Sequence, residues 1–392
     1  MTQPTIEFID LAAQQRRIKP QLDAAIARVL AHGGYIMGKE IGEFEQQLSA
    51  FCGAKFSLSC SNGTDAITLA LMAYDVGPGD AIFCPSFTFA ATAEVVALRG
   101  ATPVFVDSLP DTFNMDPASL EQAIAVAKAK GLKPRGVIPV CLFGQPADYE
   151  TLLKIAQRHA LFTIADAAQG FGGVHHGKQV PMIADITTTS FFPAKPLGCY
   201  GDGGAVFTND KALYDIMASL RVHGKGTDKY DNVRVGLNAR LDTLQAAILI
   251  EKLAIFPDEI IARNRVADRY TAGLRDVIAT PHVPAGITSV WAQYTLIAAS
   301  EEARAAIQAK LKAAGVPTVV YYPKPLHQQT AYRDYPTATC LREAGASLRH
   351  RQAGGALPVC EDLSRRVFSL PMHPYLEDAT IDYIVAQVRA AV

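Results

Sequence analysis

The residue of this sequence with the clearest chemical potential is Lys195. It stands between an apolar segment, residues 186–192, and a glycine-rich turn, with no acidic residue close to it in sequence. A lysine enclosed by apolar walls loses its proton readily, and its free amine can form a Schiff base with a carbonyl compound such as pyridoxal phosphate. Most lysines are solvated surface residues, so Lys195 by itself leaves both interpretations open.

A carboxylate and an amide follow a second apolar segment, residues 161–165. Asp166 comes directly after it, and a carboxylate at a buried strand end is costly unless a cation pairs with it. A protonated pyridine nitrogen would be such a cation, and the pair would hold the ring as an electron sink. Gln169 follows three residues later, so one helical turn would bring its amide to the same face. A helix-capping aspartate is the alternative interpretation of Asp166.

The segment from Ser61 to Ala66 joins a predicted strand to a predicted helix. Its small and hydroxyl residues, among them Gly63, Thr64 and Asp65, leave backbone N–H groups free at the positive end of a helix dipole, which suits a phosphate. Ordinary helix capping accounts for the same composition. Taken by itself, this segment favours the cap.

Two further residues belong with these segments. Ser190 precedes Lys195 by five residues and could also contact a phosphate. Phe89 follows another predicted strand and could stack on a flat ring. Core packing is the usual role of such a phenylalanine. Ligands of open α/β sheets bind where strands end, which is where all these residues stand.

Composition limits the class of protein. The chain has 392 residues, 49% hydrophobic and 19% charged, which is typical of a well-cored globular protein with two domains. Its formal net charge is −1 and no block of like charges occurs, so we expect neither nucleic-acid nor membrane partners. The longest apolar runs are too short for a bilayer, and the first residues do not resemble a signal peptide. These features favour a cytoplasmic protein.

The cysteines and histidines argue against a metal site. The seven cysteines are scattered, odd in number and without a CxxC pair, which favours reduced thiols. His175 and His176 are expected on the surface of a hairpin, because no third ligand is spaced to join them. No G-x-G-x-x-G follows the first strand, so a dinucleotide enzyme is not expected.

The elements that must position these residues alternate between strand and helix over residues 55–210. Apolar runs and three-to-four-residue apolar periods predict an α/β fold with a mostly parallel sheet. The predicted strands are Phe56–Cys60, Ala81–Cys84, Thr102–Val106, Gly136–Val140, Phe162–Ala165, Thr187–Phe192 and Ala205–Thr208. The predicted helices between them are Asp65–Tyr74, Ala90–Arg99, Pro117–Lys130 and Tyr149–His159.

A long helix is predicted from near Leu241 towards Leu274, and Pro257 marks the point where it could break. Beyond it, strand, helix and strand follow in order, which predicts a smaller α+β domain. These three elements are Trp291–Ala298, Glu301–Ala314 and Thr318–Tyr322. We therefore expect a large domain over residues 1–250 and a small one over residues 251–392, joined by a continuous helix.

Four segments together carry a resemblance to a known family, and the similarity extends over nearly the whole chain. They are Ser61–Ala66, Asp166–Gln169, Ser190–Ala205 and Gly236–Leu241. The chain resembles the DegT/DnrJ/EryC1/StrS sugar aminotransferases, and within them the WbpE/WlbC type that aminates C-3 of UDP-2-acetamido-3-keto-glucuronic acid. The resemblance implies a fold-type-I architecture, a pyridoxal 5′-phosphate cofactor, a nucleotide-sugar substrate with glutamate as amino donor, and a homodimer with shared active sites.

The same resemblance implies a role for each site residue. Lys195 would bind the cofactor covalently and shuttle a proton, Asp166 would pair with the ring nitrogen, and Gln169 would contact the ring hydroxyl. The ring would stack on Phe89. The phosphate would be held by several residues, with Asn238 coming from the neighbouring subunit: Gly63, Thr64, Asp65, Ser190 and Asn238.

Substrate contacts are implied for Arg240, Tyr321, Tyr322 and His327. Arg240 is similar to a residue that meets the sugar carboxylate, and a guanidinium binds a carboxylate through two hydrogen bonds. Two positions depart from the family pattern. Tyr321 stands where many relatives have histidine, and Lys324 stands where an apolar residue is usual, so the identity of the sugar stays open.

Other reactions and roles remain as alternatives. One is an aminotransferase for a neutral dTDP- or UDP-ketosugar, aminated at C-3 or C-4. A second is a cofactor-dependent sugar dehydratase of the same fold, in which histidine typically replaces the lysine, so Lys195 argues against it. A third is a non-catalytic regulatory protein. That role would go with a damaged site, whereas Lys195, Asp166 and Gln169 are all present.

Overall fold

The computed structural model describes residues 6–228, 230–339 and 355–392. Its helices are α1 Leu11–Arg17, α2 Lys19–His32, α3 Lys39–Cys52, α4 Gly63–Ala73, α5 Ala91–Leu98, α6 Pro117–Ala129, α7 Tyr149–Arg158, α8 Lys211–Leu220, α9 Thr243–Leu274, α10 Glu301–Ala313, α11 Pro358–Arg366 and α12 Asp378–Ala391. Its strands are β1 Phe56–Cys60, β2 Asp80–Pro85, β3 Thr102–Val106, β4 Lys133–Val137, β5 Phe162–Asp166, β6 Val174–His175, β7 Lys178–Gln179, β8 Ile186–Ser190, β9 Gly204–Thr208, β10 Ile287–Thr288, β11 Tyr294–Ile297 and β12 Val367–Leu370.

Seven strands form the central sheet in the order β1-β9-β8-β5-β4-β2-β3. All are parallel except β9, which runs antiparallel to both of its neighbours. Most strand residues are buried, because helices cover a parallel sheet on both faces. The predicted α/β fold with a mostly parallel seven-stranded sheet is confirmed. One strand is displaced: β4 ends at Val137, three residues before the predicted end.

Local signals set the ends of several helices. α6 begins at Pro117 after Asp116, whose carboxylate accepts a hydrogen bond from the Ala118 N–H at 2.9 Å, as its sequence predicts. α9 is 32 residues long and continues through Pro257, so the break that this proline suggested does not occur. Phe256 and Glu259 on either side of it are fully buried, and this packing offsets the lost hydrogen bond.

The C-terminal part of the chain differs from its prediction at one element. A two-stranded antiparallel sheet pairs β11 with β12, not with residues 318–322. Within that predicted strand only Val319 forms a bridge, to Ser369. The segment has the β-branched composition of a strand, but β12 occupies the partner edge of β11. The predicted strand at Thr318–Tyr322 is therefore wrong.

Two apolar cores meet along α9. Near its start, Leu253 and Phe256 pack with Phe191 in a cluster beside the sheet. Farther along, Val266 and Tyr270 pack in the C-terminal core. Segments after residue 325 also return to the core of the sheet, through Leu326, Tyr332, Leu357 and Leu363. The division into residues 1–250 and 251–392 stays a prediction.

The two adjacent histidines lie on a short hairpin formed by β6 and β7. His176 is exposed, as predicted, whereas His175 is buried against Tyr149, with the ring centroids 5.8 Å apart. Among the described residues, no group of three or more His, Cys, Asp or Glu side chains is placed to bind a metal. In the same residues no helix has the length and apolar character needed to cross a membrane.

Candidate active site

The residues singled out by sequence follow four strands that end at one edge of the sheet. β1, β2, β5 and β8 all run in the same direction. Their C-terminal ends lead to Ser61, Ser86, Asp166 and Ser190. Binding sites of open α/β sheets form at this edge, because loops diverge there and leave a crevice.

Asp166 is the last residue of β5 and is 5% exposed. Its carboxylate accepts hydrogen bonds from the Thr92 hydroxyl at 2.9 Å and from the Ala168 N–H at 3.1 Å. Burial raises the pKa of this carboxyl, while the two hydrogen bonds and the charge of Lys195 lower it. No cation forms an ion pair with it in the described part of the chain. A buried carboxylate that has hydrogen bonds but no ion pair can still bind a cationic group.

Lys195 lies in the loop between β8 and β9, and its backbone N–H donates to the Phe192 carbonyl at 2.8 Å. The residue keeps part of its surface exposed. Burial nevertheless lowers the pKa of its amine, and the charge of Asp166 partly opposes this shift. The amine has no hydrogen bond or ion pair within residues 6–228, 230–339 and 355–392. A lysine with a lowered pKa and no partner is suited to act as a nucleophile.

The N-cap of α4 is Asn62, in the turn that follows β1. Its side chain accepts a hydrogen bond from the Asp65 N–H at 2.8 Å. The Asp65 carboxylate in turn accepts from the Ser61 hydroxyl and the Asn62 amide. Both hydrogen-bonding groups of Asp65 are therefore engaged. In the described structure the N–H groups of Gly63 and Thr64 have no acceptor, so an anion could bind there.

Ser190 lies against this same turn. A Cβ on Gly63 would come within 2.7 Å of the Ser190 Cβ, so glycine is needed for the end of β8 to approach α4 this closely. The Ser190 hydroxyl accepts a hydrogen bond from the Phe192 N–H at 3.2 Å and keeps its own proton to donate. Ser190, Gly63 and Thr64 thus form one small polar site at the N-terminus of α4.

The amide of Gln169 is oriented by two hydrogen bonds. Its oxygen accepts from the Phe143 N–H at 2.6 Å, and its nitrogen donates to the Tyr322 hydroxyl at 3.1 Å. Phe143 adopts a left-handed φ of 58°, which aims its N–H at this oxygen. Because the oxygen faces Phe143, the amide presents a donor on its other side.

Phe89 is 58% exposed, so core packing is the wrong interpretation of this residue. Its ring lies 6.5 Å from that of Tyr322, and Tyr322 contacts Phe87 edge-on at 6.2 Å. Burial raises the pKa of the Tyr322 hydroxyl well above its usual range, so this group stays protonated and can donate. The exposed ring of Phe89, next to the hydroxyl-bearing ring of Tyr322, is suited to stack on a flat ligand.

Arg240 is the second cation here without a partner. Its guanidinium makes no hydrogen bond or ion pair in the described part of the protein, and its Nε is buried. A buried donor without an acceptor is costly, so an anionic ligand would stabilise this side chain. Asn238, two residues earlier, is exposed. The carbonyl of the residue between them, Ala239, accepts from the Ser61 N–H at 3.0 Å.

The residues predicted to contact substrate within the segment 320–327 differ in their exposure. Tyr321 and Tyr322 are partly exposed, and Lys324 is exposed. His327 is buried, and its two ring nitrogens are hydrogen-bonded to the Ser86 hydroxyl at 2.7 Å and the Glu361 carboxylate at 3.1 Å. Both ring nitrogens of His327 are therefore engaged within the chain, and its substrate contact stays a prediction. This histidine connects the segment to the end of β2 and to α11.

Sequence reasoning missed two neighbours of the site. Thr92, which bonds Asp166, lies three residues after Phe89, and helical spacing could have placed it on the same face. Phe143, which orients Gln169, acts through its backbone, and no side-chain pattern signals such a contact.

These groups fit pyridoxal phosphate in its charge and shape. Gly63, Thr64 and Ser190 provide donors for a phosphate, and an exposed aromatic ring lies near the sheet edge. Within the described residues Asp166 forms no ion pair, and the Lys195 amine forms neither a hydrogen bond nor an ion pair. A phosphorylated pyridine aldehyde would offer each of these groups a partner: its phosphate for the donors, its ring nitrogen for Asp166 and its aldehyde for Lys195.

Comparison with known proteins agrees with this fit. The sequence profile of the DegT/DnrJ/EryC1/StrS aminotransferase family matches residues 16–389. The UDP-2-acetamido-2-deoxy-3-oxo-D-glucuronate aminotransferase of Pseudomonas aeruginosa is 48% identical, over 97% of this chain and 99% of its own.

Two solved structures have the same fold. A DegT DnrJ EryC1 StrS aminotransferase from Brucella abortus has a TM-score of 0.92 and 50% identity, covering 98% of this chain and 99% of its own. NtdA of Bacillus subtilis, solved with its cofactor PMP, has a TM-score of 0.86 and 28% identity, covering 100% of this chain and 86% of its own. The chain is therefore a pyridoxal-phosphate-dependent enzyme of the DegT/DnrJ/EryC1/StrS aminotransferase family.

Proposed function

We propose that this enzyme transfers an amino group from glutamate to C-3 of UDP-2-acetamido-3-keto-glucuronic acid, as a step in the biosynthesis of surface polysaccharide such as lipopolysaccharide O-antigen. The observation that carries the reaction class is the amine of Lys195, which has a lowered pKa and no partner in the described structure. The choice of sugar is supported by the 48% identical relative from Pseudomonas aeruginosa, which matches over almost its full length.

When bound, pyridoxal phosphate supplies a carbonyl that condenses with amines and a ring that accepts electrons. The N–H groups of Gly63 and Thr64 and the hydroxyl of Ser190 would hold its phosphate. The Asp166 carboxylate would pair with the ring nitrogen and favour its protonated form, because no cation of the described residues forms an ion pair with this carboxylate. Gln169 would donate its remaining amide proton to the ring hydroxyl, in the orientation set by Phe143.

Lys195 would hold the cofactor in the resting enzyme, and its amine, when free, would act as a base. The amine would take a proton from the α-carbon of glutamate onto its Nζ and deliver it to C4′ of the cofactor. In the second half of the reaction the same amine would move a proton in the opposite sense, from C4′ onto C-3 of the sugar. The lowered pKa suits this work, since a base must release the proton that it takes.

Arg240 is the proposed contact for the sugar carboxylate. Its guanidinium has no partner within the described residues, and two parallel hydrogen bonds to a carboxylate would satisfy it. Tyr321 and Tyr322, both partly exposed, are proposed to line the sugar site. A neutral ketosugar would leave the guanidinium unpaired, and this cost would disfavour it.

We also propose a homodimer in which Asn238 contacts the phosphate of the partner's site. Exposed apolar side chains occur at Tyr35, Ile36 and Met37 and again at Val233 and Val235. Exposed apolar surface of this kind is typical of a subunit interface.

A mixing experiment tests this arrangement. Hybrids of a Lys195→Ala chain and an Asn238→Ala chain contain one intact site only if Asn238 acts across the interface, so mixing should restore activity. If Asn238 acts within its own chain, both sites of the hybrid stay damaged and mixing restores nothing.

We further propose that the enzyme works in the cytoplasm. The six cysteines in the described residues are all free and buried, which suits a reducing compartment. Cys340 lies outside the described residues.

The substrate proposal is tested by offering the enzyme, with glutamate, a panel of UDP- and dTDP-ketosugars and identifying the products by mass spectrometry. We expect amination of the carboxylated 3-ketosugar. Product from neutral 4-ketosugars alone would overturn the glucuronate proposal and leave the aminotransferase assignment intact. Loss of water from the sugar without amination would indicate the dehydratase.

A further inference from the structure

We propose that Lys252 is a positioning residue, which holds the loop that carries Lys195 in the geometry needed for proton transfer. This inference rests on the proposed function, since it assigns a role in the same site. No motif in the sequence points to Lys252, which lies more than fifty residues from Lys195 within a long helix.

Lys252 is fully buried in α9, an unusual location for an ammonium group. Its Nζ donates to the carbonyl of Gly198 at 2.6 Å and lies 4.1 Å from the centroid of the Tyr200 ring. Both contacts are to the loop that follows Lys195. The aromatic face and the carbonyl oxygen each present negative charge to the ammonium, which compensates for part of its lost hydration.

The Gly198 carbonyl belongs to a tightly folded turn. A Cβ on Gly198 would come within 2.5 Å of the Pro193 carbonyl oxygen and 2.7 Å of that of Phe192. The Phe192 carbonyl also accepts the N–H of Lys195 at 2.8 Å. Any shift of Gly198 therefore moves the backbone that positions Lys195.

The same face of α9 makes a second attachment. Gln245 lies seven residues, or two helical turns, before Lys252. Its side chain accepts from the Tyr200 N–H at 2.8 Å and donates to the Tyr200 carbonyl at 3.3 Å. Gln245 and Lys252 together hold Gly198 and Tyr200 against the helix.

An apolar side chain could fill the same space but could not bind the Gly198 carbonyl. Burial lowers the pKa of Lys252 to about 8, while the charges of Cys199 and of the buried Glu259 oppose this shift. Among the described residues no carboxylate forms an ion pair with it. The hydrogen bond to the loop and the contact with Tyr200 are therefore what this side chain contributes.

The consequence for the reaction is geometric. Lys195 must reach both the cofactor and the carbon that loses its proton, and a misplacement of about 1 Å can cost about a hundredfold in rate. Replacing Lys252 should therefore change the position of the Lys195 amine without removing any residue that contacts the cofactor.

The test compares Lys252→Met, Lys252→Gln and Val266→Ala in the full-length enzyme. Methionine keeps the volume and removes the donor, whereas glutamine keeps a donor. Val266 is buried in the C-terminal core of the same helix, about 21 Å farther along it, so Val266→Ala reports loss of packing alone. For each variant we would measure the dissociation constant of pyridoxal phosphate, the pH midpoint of the visible absorbance of the bound cofactor, kcat in the glutamate half-reaction, and thermal unfolding.

We expect Lys252→Met to shift the pH midpoint, weaken cofactor binding and lower kcat by about tenfold to a hundredfold. Lys252→Gln should recover part of each loss, and Val266→Ala should lower only the unfolding temperature. The proposal is overturned if Lys252→Met keeps the wild-type midpoint and cofactor affinity, or differs from Val266→Ala only in stability. If Lys252→Met fails to fold, Gln245→Leu removes the neighbouring attachment and is judged by the same midpoint.

The glutamate half-reaction requires no sugar. Wild-type enzyme that reacts with glutamate but aminates no ketosugar would refute the proposed substrate, and the Lys252 variants would still be compared in that half-reaction.

Discussion

Lys195 lies in the turn formed by residues 193–200, and Lys252 contacts the same turn from α9. Burial lowers the pKa of both amines. They differ in their contacts. The Lys195 amine has no partner within the described residues, whereas Lys252 donates to Gly198 and lies on the ring of Tyr200. The charge acting on Lys195 comes from Asp166, at the end of the neighbouring strand β5.

The comparison shows that a lowered pKa alone does not identify a catalytic lysine. Burial produces the shift in both cases, and the two amines differ in whether they have a hydrogen-bond partner. Arg240 and Arg221 differ in the same way. Arg240 has no partner in the described structure, and the buried Arg221 is paired with Glu45 at 2.6 Å.

The largest effect is expected at Lys195 itself. Lys195→Ala should abolish covalent cofactor attachment and lower transamination by about a thousandfold or more, because no other described amine replaces it. Borohydride reduction followed by peptide mass spectrometry should locate the cofactor on Lys195 in the wild type. Cofactor found on Lys252 instead would reverse the comparison between the two lysines.

Asp166→Asn should have the next largest effect. It keeps the size of the side chain but removes the charge that acts on Lys195 and on the ring nitrogen, so kcat should fall by about a hundredfold. The pH midpoint of the visible absorbance should move as well. Thr92→Val, which removes only one hydrogen bond to the carboxylate, should cause a smaller loss. Equal losses in the two variants would argue that the charge of Asp166 is not what matters.

Arg240→Ala extends the comparison to a second cation without a partner. Loss of a charge-assisted hydrogen bond costs about 2 kcal/mol, or roughly thirtyfold in kcat/KM for a carboxylated sugar. The same variant should use a neutral ketosugar nearly as well as the wild type does. The ratio of kcat/KM values for the two sugars is the measurement, and an equal decrease for both would remove Arg240 from carboxylate recognition.

The smallest effect is the part of the pH dependence of stability that Lys252 contributes. Its pKa is about 8 in the folded protein, and an unfolded lysine has a pKa of about 10.4. Between these values the unfolded chain binds more protons, so the free energy of unfolding of the wild type should rise with pH relative to Lys252→Met. The slope is at most about 1.4 kcal/mol per pH unit.

Urea unfolding below, within and above this pH window measures that difference. Val266→Ala changes no titratable group, so its stability should follow that of the wild type in parallel. A difference between wild type and Lys252→Met that does not depend on pH would show that Lys252 titrates normally in the folded protein.

Sequence reasoning succeeded where neighbouring residues carry the signal. Asp166 and Ser190 each end a largely buried strand, and the parallel sheet brings such ends to one edge. The predicted strand at Thr318–Tyr322 is wrong, and the contacts of His327 were not predicted. The segment Thr318–Tyr322 has the composition of a strand, but β12 takes the place beside β11. The two ring nitrogens of His327 are hydrogen-bonded to Ser86, 241 residues earlier, and to Glu361, 34 residues later, and no local pattern reveals such contacts.

By itself the sequence determined the α/β class and most of the succession of strands and helices along the chain, and it predicted which groups are reactive, because strand periodicity, helix caps and short motifs are local. Tertiary structure alone decided which groups have partners. It left Lys195 and Arg240 without partners among the described residues, bonded both nitrogens of His327, and set Lys252 beneath Gly198. These outcomes depend on burial and on contacts between distant segments, and such contacts exist only once the chain has packed.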